Sequence, residues 1–104
     1  MKIIEVNSEK IMFDNGSTIT CGSEECYANN YSDFKQLEEL AYDVDFTEPL
    51  DFELCGYGFR FGNKGRIMFF IPCYSEQNGY YDDRIDVYYN DKLIIEAVGE
   101  IRLR

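Results

Sequence analysis

The chain contains no histidine, and this absence limits the chemistry that its other side chains can perform. Without an imidazole there is no Ser-His or Cys-His nucleophilic pair, no His-ligated metal and no general base of the commonest kind. Carboxylates, tyrosines, lysines and thiols are left for acid-base or nucleophilic work. The composition therefore favours a role that is not enzymatic, and we predict no catalytic, cofactor-binding or metal-binding residues.

Four cysteines, Cys21, Cys26, Cys55 and Cys73, are the next candidates for chemistry. A zinc site is built from tight pairs such as Cys-x-x-Cys, and here only Cys21 and Cys26 lie close in sequence. Two disulfides would require an oxidising compartment. We favour free thiols, two of them packed as small apolar side chains, and keep a cysteine-based metal binder as an alternative.

Adjacent carboxylates occur at Glu24-Glu25, Glu38-Glu39 and Asp82-Asp83. A working acid-base pair needs two carboxyl groups in contrasting environments across a cleft. Neighbours in sequence, in predicted loops or on the outside of a helix, are more typical of solvated surface charge.

The segment from Gln77 to Asp83 has the composition of a binding surface. Asn78-Gly79 predicts a tight turn, and the tyrosines and aspartates that follow it combine rigid rings with polar tips. We expect an interaction surface here. The alternative is a small-ligand site or an enzyme that uses the loop over residues 73–83.

Negative charge is concentrated in one third of a chain whose net charge is −10. Residues 24–53 contain ten acidic side chains and a single basic one, Lys35. Such a surface repels nucleic acid and anionic membranes and attracts basic proteins. A sharper hypothesis is an inhibitor in phage or bacterial defence that imitates nucleic acid, which requires these acids to form one continuous row.

We therefore predict a protein-interaction module that binds a basic partner. The candidate interaction surface comprises Glu24, Glu25, Glu38, Glu39, Asp43, Asp45, Glu48, Gln77, Asn78, Tyr80, Tyr81, Asp82 and Asp83.

The elements that would position these residues are mostly short strands. Short β-prone or alternating runs predict them at Lys2–Val6, Lys10–Phe13, Ser17–Thr20, Leu50–Leu54, Tyr57–Phe61, Arg84–Tyr89 and Lys92–Val98. The unbroken apolar character of Arg66–Ile71 predicts a central strand there. Phe34, Leu37, Leu40 and Ala41 recur at helical spacing, which predicts one amphipathic helix over about residues 32–42.

The predicted fold is accordingly α+β, with one helix packed on an antiparallel sheet of six to eight short strands, largely connected as hairpins or a meander. A chain of 104 residues has the usual size of a single domain, and we assign residues 1–104 to one. Unpaired edge strands would also allow a homodimer.

No apolar run reaches the roughly 20 residues that a membrane-spanning helix needs. The first residues also lack the apolar stretch and cleavage site of a signal peptide. We therefore expect a cytoplasmic protein.

Three motifs resemble those of an uncharacterised family of small acidic proteins from bacteria and their phages. They are Phe13-Asp14-Asn15-Gly16, Tyr31-Ser32-Asp33-Phe34 and Gln77-Asn78-Gly79-Tyr80-Tyr81. The resemblance extends over most of the chain. Members tend to carry adjacent cysteines and a histidine in the first loop, where this sequence has Glu25-Cys26-Tyr27 and no histidine. The resemblance implies no activity, because the family has none assigned.

Overall fold

Short alternating segments dominate the chain, and in a β-strand successive side chains point to opposite faces. The computed structural model describes residues 1–104 and folds these segments into ten strands. They are β1 (Ile3–Val6), β2 (Lys10–Phe13), β3 (Thr18–Gly22), β4 (Asn29–Ser32), β5 (Asp51–Leu54), β6 (Gly58–Asn63), β7 (Ile67–Glu76), β8 (Arg84–Tyr89), β9 (Lys92–Val98) and β10 (Glu100–Arg102). Two short 3-10 helices, Phe34–Gln36 and Glu39–Asp43, lie between β4 and β5. Neither is long or apolar enough to span a membrane.

The strands form two sheets of five. The first sheet has the order β1-β2-β3-β8-β9 and is antiparallel throughout. The second has the order β10-β7-β6-β5, and β4 also pairs with β7. Only the pair formed by β10 and β7 is parallel. The prediction of an antiparallel sheet is confirmed, although there are two sheets instead of one.

Strand β7 is long enough to organise the whole second sheet. The N–H of Cys73 donates to the carbonyl of Tyr57 just before β6, at 3.0 Å, whereas the carbonyl of Pro72 accepts from Asp33 just after β4, at 2.9 Å. Because neighbouring residues of a strand direct these groups to opposite sides, β6 and β4 lie on opposite edges of β7. Strand β4 therefore has β7 on one side only.

Phenylalanine rings fill the space between the two sheets. Phe46, which lies in the loop before β5, is only 2% exposed. Its ring centroid lies 5.6 Å from that of Phe13 in the first sheet, and 5.8 and 5.9 Å from those of Phe61 and Phe69 in the second. Of the 18 buried apolar residues, 17 form one cluster that includes residues of both sheets; Ala28 lies outside it.

The predicted helix over residues 32–42 is wrong. Ser32 ends β4, and extended backbone at Leu37 (ψ 132°) and Glu38 (ψ 138°) separates the two 3-10 helices. Neither 3-10 helix has a side-chain hydrogen bond at its N-cap. Phe34, Leu37 and Ala41 are nevertheless buried, so the apolar spacing marks core contacts made by an irregular segment.

Charge explains why this segment forms no α-helix. Glu38 and Glu39 would occupy the C-terminal half of the predicted helix and Asp43 would directly follow it, where the helix dipole disfavours negative charge. A helix of about 11 residues is also marginal by itself in water. The α+β fold class is therefore wrong, because the structure contains no α-helix and consists of two sheets packed face to face.

Candidate protein-interaction surface

Two loops meet at one end of the molecule. The loop between β3 and β4 carries Tyr27, and the loop between β7 and β8 carries Tyr81. These two rings stack with their centroids 5.5 Å apart and their planes at 25°. We call this region the tyrosine end, and it comprises Glu24, Glu25, Tyr27, Tyr80, Tyr81, Asp82 and Asp83.

The tyrosine end exposes large rings to solvent. Tyr80 is 85% exposed, Tyr27 67% and Tyr81 41%. Apolar or aromatic side chains scattered singly over a surface are ordinary, but neighbouring exposed rings are a composition that protein interfaces favour. Tyrosine offers contact area at a small conformational entropy cost, because few of its bonds rotate.

A buried polar network supports this surface from beneath. Gln77 is 1% exposed; its Nε2 donates to Ser75 Oγ at 2.6 Å, and its Oε1 accepts from the N–H of Tyr81 at 2.7 Å. The Ser75 hydroxyl donates to Asn30 Oδ1, and Asn30 Nδ2 donates to the carbonyl of Asp82 at 2.8 Å. Buried polar groups satisfied in this way hold a single backbone conformation.

Further hydrogen bonds secure the start and the end of the same loop. The N–H of Gln77 donates to the carbonyl of Arg102 in β10, and the carbonyl of Asp83 accepts from the N–H of Gly99, both at 2.9 Å. Asp82 Oδ1 accepts from the N–H of Arg84 at 2.9 Å. The loop is therefore attached to both sheets although Asn78, Tyr80, Tyr81 and Asp82 are exposed.

One base, Arg84, lies beside the tyrosine end among several acids. Arg84 Nε lies 3.2 Å from Asp86 Oδ1, an ion pair in which that oxygen accepts no hydrogen bond, and Arg84 Nη1 lies 3.7 Å from Glu96 Oε1. The charges of Asp86 and Glu96, with those of Asp82 and Glu24, raise the pKa of Arg84. One guanidinium faces four carboxylates, so the surroundings remain negative.

The other predicted acids lie elsewhere. Glu38, Glu39 and Asp43 are exposed at and beside the second 3-10 helix. Asp45 accepts a hydrogen bond from the Met1 ammonium at 2.7 Å, which lowers the pKa of its carboxyl group. Glu48 accepts from Asn15 Nδ2 at 2.7 Å and from the Tyr89 hydroxyl at 2.8 Å.

These contacts separate the acids of residues 24–53 into groups. Glu48 is bound to Asn15 just before β3, whereas Glu24 follows the other end of β3. Five residues of strand at about 3.3 Å each place the two roughly 16 Å apart. Asp45 is paired with the Met1 ammonium and Glu48 is hydrogen-bonded to two neutral groups, so both acids are held within the molecule and lie apart from Glu24.

The cysteines lie in different environments. Ser32 Oγ lies 2.9 Å from Cys21 Sγ and 3.1 Å from Cys73 Sγ, between the two sheets. Burial raises the pKa of Cys21 to about 12 and that of Cys73 to about 11, so both are protonated thiols at neutral pH. Cys26 is exposed and Cys55 half-buried. No three Cys, Asp or Glu side chains converge as metal ligands would.

Three cavities indent the surface; of the loop predicted over residues 73–83, only Tyr74 lines one of them, beside Tyr57 and Phe70. No residue of the tyrosine end lines a cavity, and its exposed rings and carboxylates have a composition that protein interfaces favour. Comparisons with protein-family models, with curated proteins and with solved structures find no match to this chain.

Proposed function

We propose that this protein is an interaction module that binds a basic surface of a partner protein through its tyrosine end. The observation that carries the proposal is Tyr80, 85% exposed on a loop that Gln77 and Asn30 secure from beneath. A surface already in its bound shape loses little entropy on association, and that raises affinity.

The chemistry of the tyrosine end favours lysine and arginine side chains. Tyrosine rings attract cations over their faces, and carboxylates form charge-assisted hydrogen bonds with guanidinium and ammonium groups. Asp82 and Asp83 directly follow Tyr80 and Tyr81 in the loop, and Glu24 lies close enough to Arg84 to raise the pKa of its guanidinium. The net charge of −10 favours a basic protein over nucleic acid or an anionic membrane as the partner.

A cytoplasmic location is part of the proposal. All four cysteines are free thiols, as is usual for proteins of reducing compartments. Cys26 is exposed, and an oxidising environment would make it prone to pairing between molecules.

Site-specific photo-crosslinking in the native host would test the proposal. A benzophenone side chain at position 80 should capture a partner that the same group at position 57 does not. Tyr57 is a matched control, because it is 55% exposed and lies in the β5–β6 turn. Equal capture from both positions, or none from position 80, would contradict the proposal.

Affinity for the captured partner should then depend on both the rings and the acids. Tyr80→Ala should weaken binding about 30-fold, the effect typical of an interface hot spot. Asp82→Lys should weaken it further at low salt, with the difference shrinking as salt screens the charges. Tyr42→Ala, an exposed tyrosine on the second 3-10 helix, serves as the control and should leave the affinity unchanged.

A further inference from the structure

The free edge of β4 offers backbone groups that nothing in the protein uses. Asp33, just after β4, donates its N–H to the carbonyl of Pro72 in β7. The backbone groups of Tyr31 and Asn29 point in the same direction as those of Asp33, toward β7. Because backbone groups alternate along a strand, the N–H and C=O of Asn30 and Ser32 point away from β7. No other strand pairs with β4.

A groove of about 400 Å³ runs along this edge. Cys21, Tyr31 and Phe34 are the apolar residues of its lining, and Ser8 and Glu9 come from the β1–β2 turn. The opposite wall is also a free strand edge. Since β2 begins at Lys10, opposite Thr20, Cys21 in β3 has no partner strand on that side.

The other edge strands carry features that discourage pairing with another chain. The ladder of β1 is irregular between Ile3 and Glu5, and that of β9 shifts between Val87 and Tyr88 of its partner. Strand β10 carries Arg102, and β5, whose register is regular, carries the charged residues Asp51 and Glu53. Proteins commonly protect sheet edges with irregularities, charged residues and proline. Strand β4, Asn29–Ser32, has a regular register and contains no lysine, arginine or proline.

We propose that an extended, basic segment of the partner adds to β4 as a new strand and occupies this groove. Main-chain hydrogen bonds to Asn30 and Ser32 would supply affinity in this mode, and alternate side chains would supply selectivity. The inference rests on the proposed function and specifies how the basic partner binds. Strand β4 begins two residues after Tyr27, so an added strand leads directly to the tyrosine end.

Charge identifies the occupant as a basic segment. Glu9 lines the groove, Asp33 follows β4 and Glu76 lies opposite Asn29. Lys10 and Lys35 directly follow two of the lining residues, so the acids around the groove outnumber the bases by three to two. The guanidinium of Arg102 is engaged with the Tyr74 ring, 3.9 Å from its centroid. A second copy of this chain would bring another net charge of −10 to the same edge, which disfavours a homodimer formed there.

Amide hydrogen exchange followed by NMR tests the strand addition directly. The probe is a soluble peptide of alternating lysine and threonine. The control is the same peptide N-methylated at alternate residues, because N-methylation keeps the charge but removes the backbone N–H groups that would pair with β4. The unmodified peptide should slow exchange at Asn30 and Ser32 at least about tenfold, and the N-methylated peptide should not. Equal protection by both peptides would overturn strand addition.

Two variants of equal charge locate the contact. Glu9→Lys in the groove lining should weaken binding of the unmodified peptide several-fold, while Glu39→Lys on the second 3-10 helix should not. Shifts at Tyr27, Tyr80 and Tyr81 without protection at Asn30 and Ser32 would overturn strand addition and leave the proposed function standing. No binding of either peptide at millimolar concentration, or protection at β1 or β9 instead, would overturn the inference. The crosslinking experiment tests the proposed function separately: if a benzophenone at position 80 captured no partner, that function would be overturned whatever the peptides did.

Discussion

Gln77 supports the tyrosine end from beneath, although its residue type and neighbours predict a surface position. Its amide group bonds Ser75 on one side and Tyr81 on the other, and its side chain is buried. Glutamine is usually exposed, so nothing in the sequence distinguishes this one from its neighbour Asn78. Its position directly after β7 would have indicated burial, but the sequence pattern predicts the end of that strand at Ile71, five residues before its actual end at Glu76.

Replacing Gln77 with methionine should destabilise the protein because it removes both hydrogen bonds at similar volume. The Tyr81 N–H would lose its acceptor, and we expect unfolding to become easier by about 1–3 kcal/mol, the range for a buried polar group left unpaired. Urea denaturation measures this. Asn78→Ala, at an exposed neighbour, is the control and should change stability little. Equal effects of the two substitutions would contradict the assignment.

Asp45 makes a pH-dependent contribution to stability. Its pKa is lowered in the folded protein by the hydrogen bond from the Met1 ammonium and by that group's charge. A lowered pKa means that the contribution is present above the unfolded value of 3.8 and is lost as the pH falls through the folded value. The free energy of unfolding of wild type should therefore exceed that of Asp45→Asn at neutral pH, and the difference should shrink in acid. A difference independent of pH would contradict this role.

At the scale of elements, the strands were the predictable part of the fold. The β-prone and alternating runs located β1, β2, β3, β5, β6, β8 and β9 to within two residues at either end, even though β9 is mostly exposed. Strand β4 was not predicted, since Asn-Asn-Tyr-Ser shows no apolar alternation and owes its conformation to β7. The second half of β7 contains Pro72 and polar residues, so the sequence pattern predicts a loop there.

At Gly58, strands β6 and β7 approach each other so closely that a side chain would not fit. A methyl group at Gly58 would lie 2.3 Å from the carbonyl oxygen of Ile71 and 2.8 Å from the ring of Phe70. Gly58→Ala should therefore separate β6 from β7 and destabilise the protein by about 1–3 kcal/mol, as overpacking does.

Gly65→Ala is the comparison for Gly58→Ala, because Gly65 has φ +83° and open space around it. Its destabilisation should come from backbone strain alone, about 1 kcal/mol. Thermal unfolding monitored by circular dichroism measures both variants. If Gly65→Ala lowered the melting temperature more than Gly58→Ala, the close approach of β6 and β7 would not be the controlling contact.

For the whole molecule, the sequence supported an antiparallel architecture but not its division into two sheets. Phe46 shows why: it lies in an acidic loop, yet its ring sits among Phe13, Phe61 and Phe69 in the core. Which loop supplies the central ring depends on contacts between residues far apart in sequence, and no local pattern encodes them.

The candidate site was predictable only in part, because it too depends on contacts between residues far apart in sequence. Composition singled out Tyr80 to Asp83 and the pair Glu24-Glu25, and the structure brings these two segments together through Tyr27 and Tyr81. It places Asp45 and Glu48 at the other end of β3, where each is bound within the molecule. Local charge density indicated where acids occur, but which of them share a surface is decided by the strand order.

The proposed function requires that the tyrosine end hold its shape before any partner binds. Backbone ¹⁵N relaxation of the free protein measures this residue by residue. We predict order parameters of about 0.85 over residues 78–83, as in the strands, and a clear drop in the Gln77→Met variant. Values below about 0.6 over these residues in the wild-type protein would contradict a preformed binding surface.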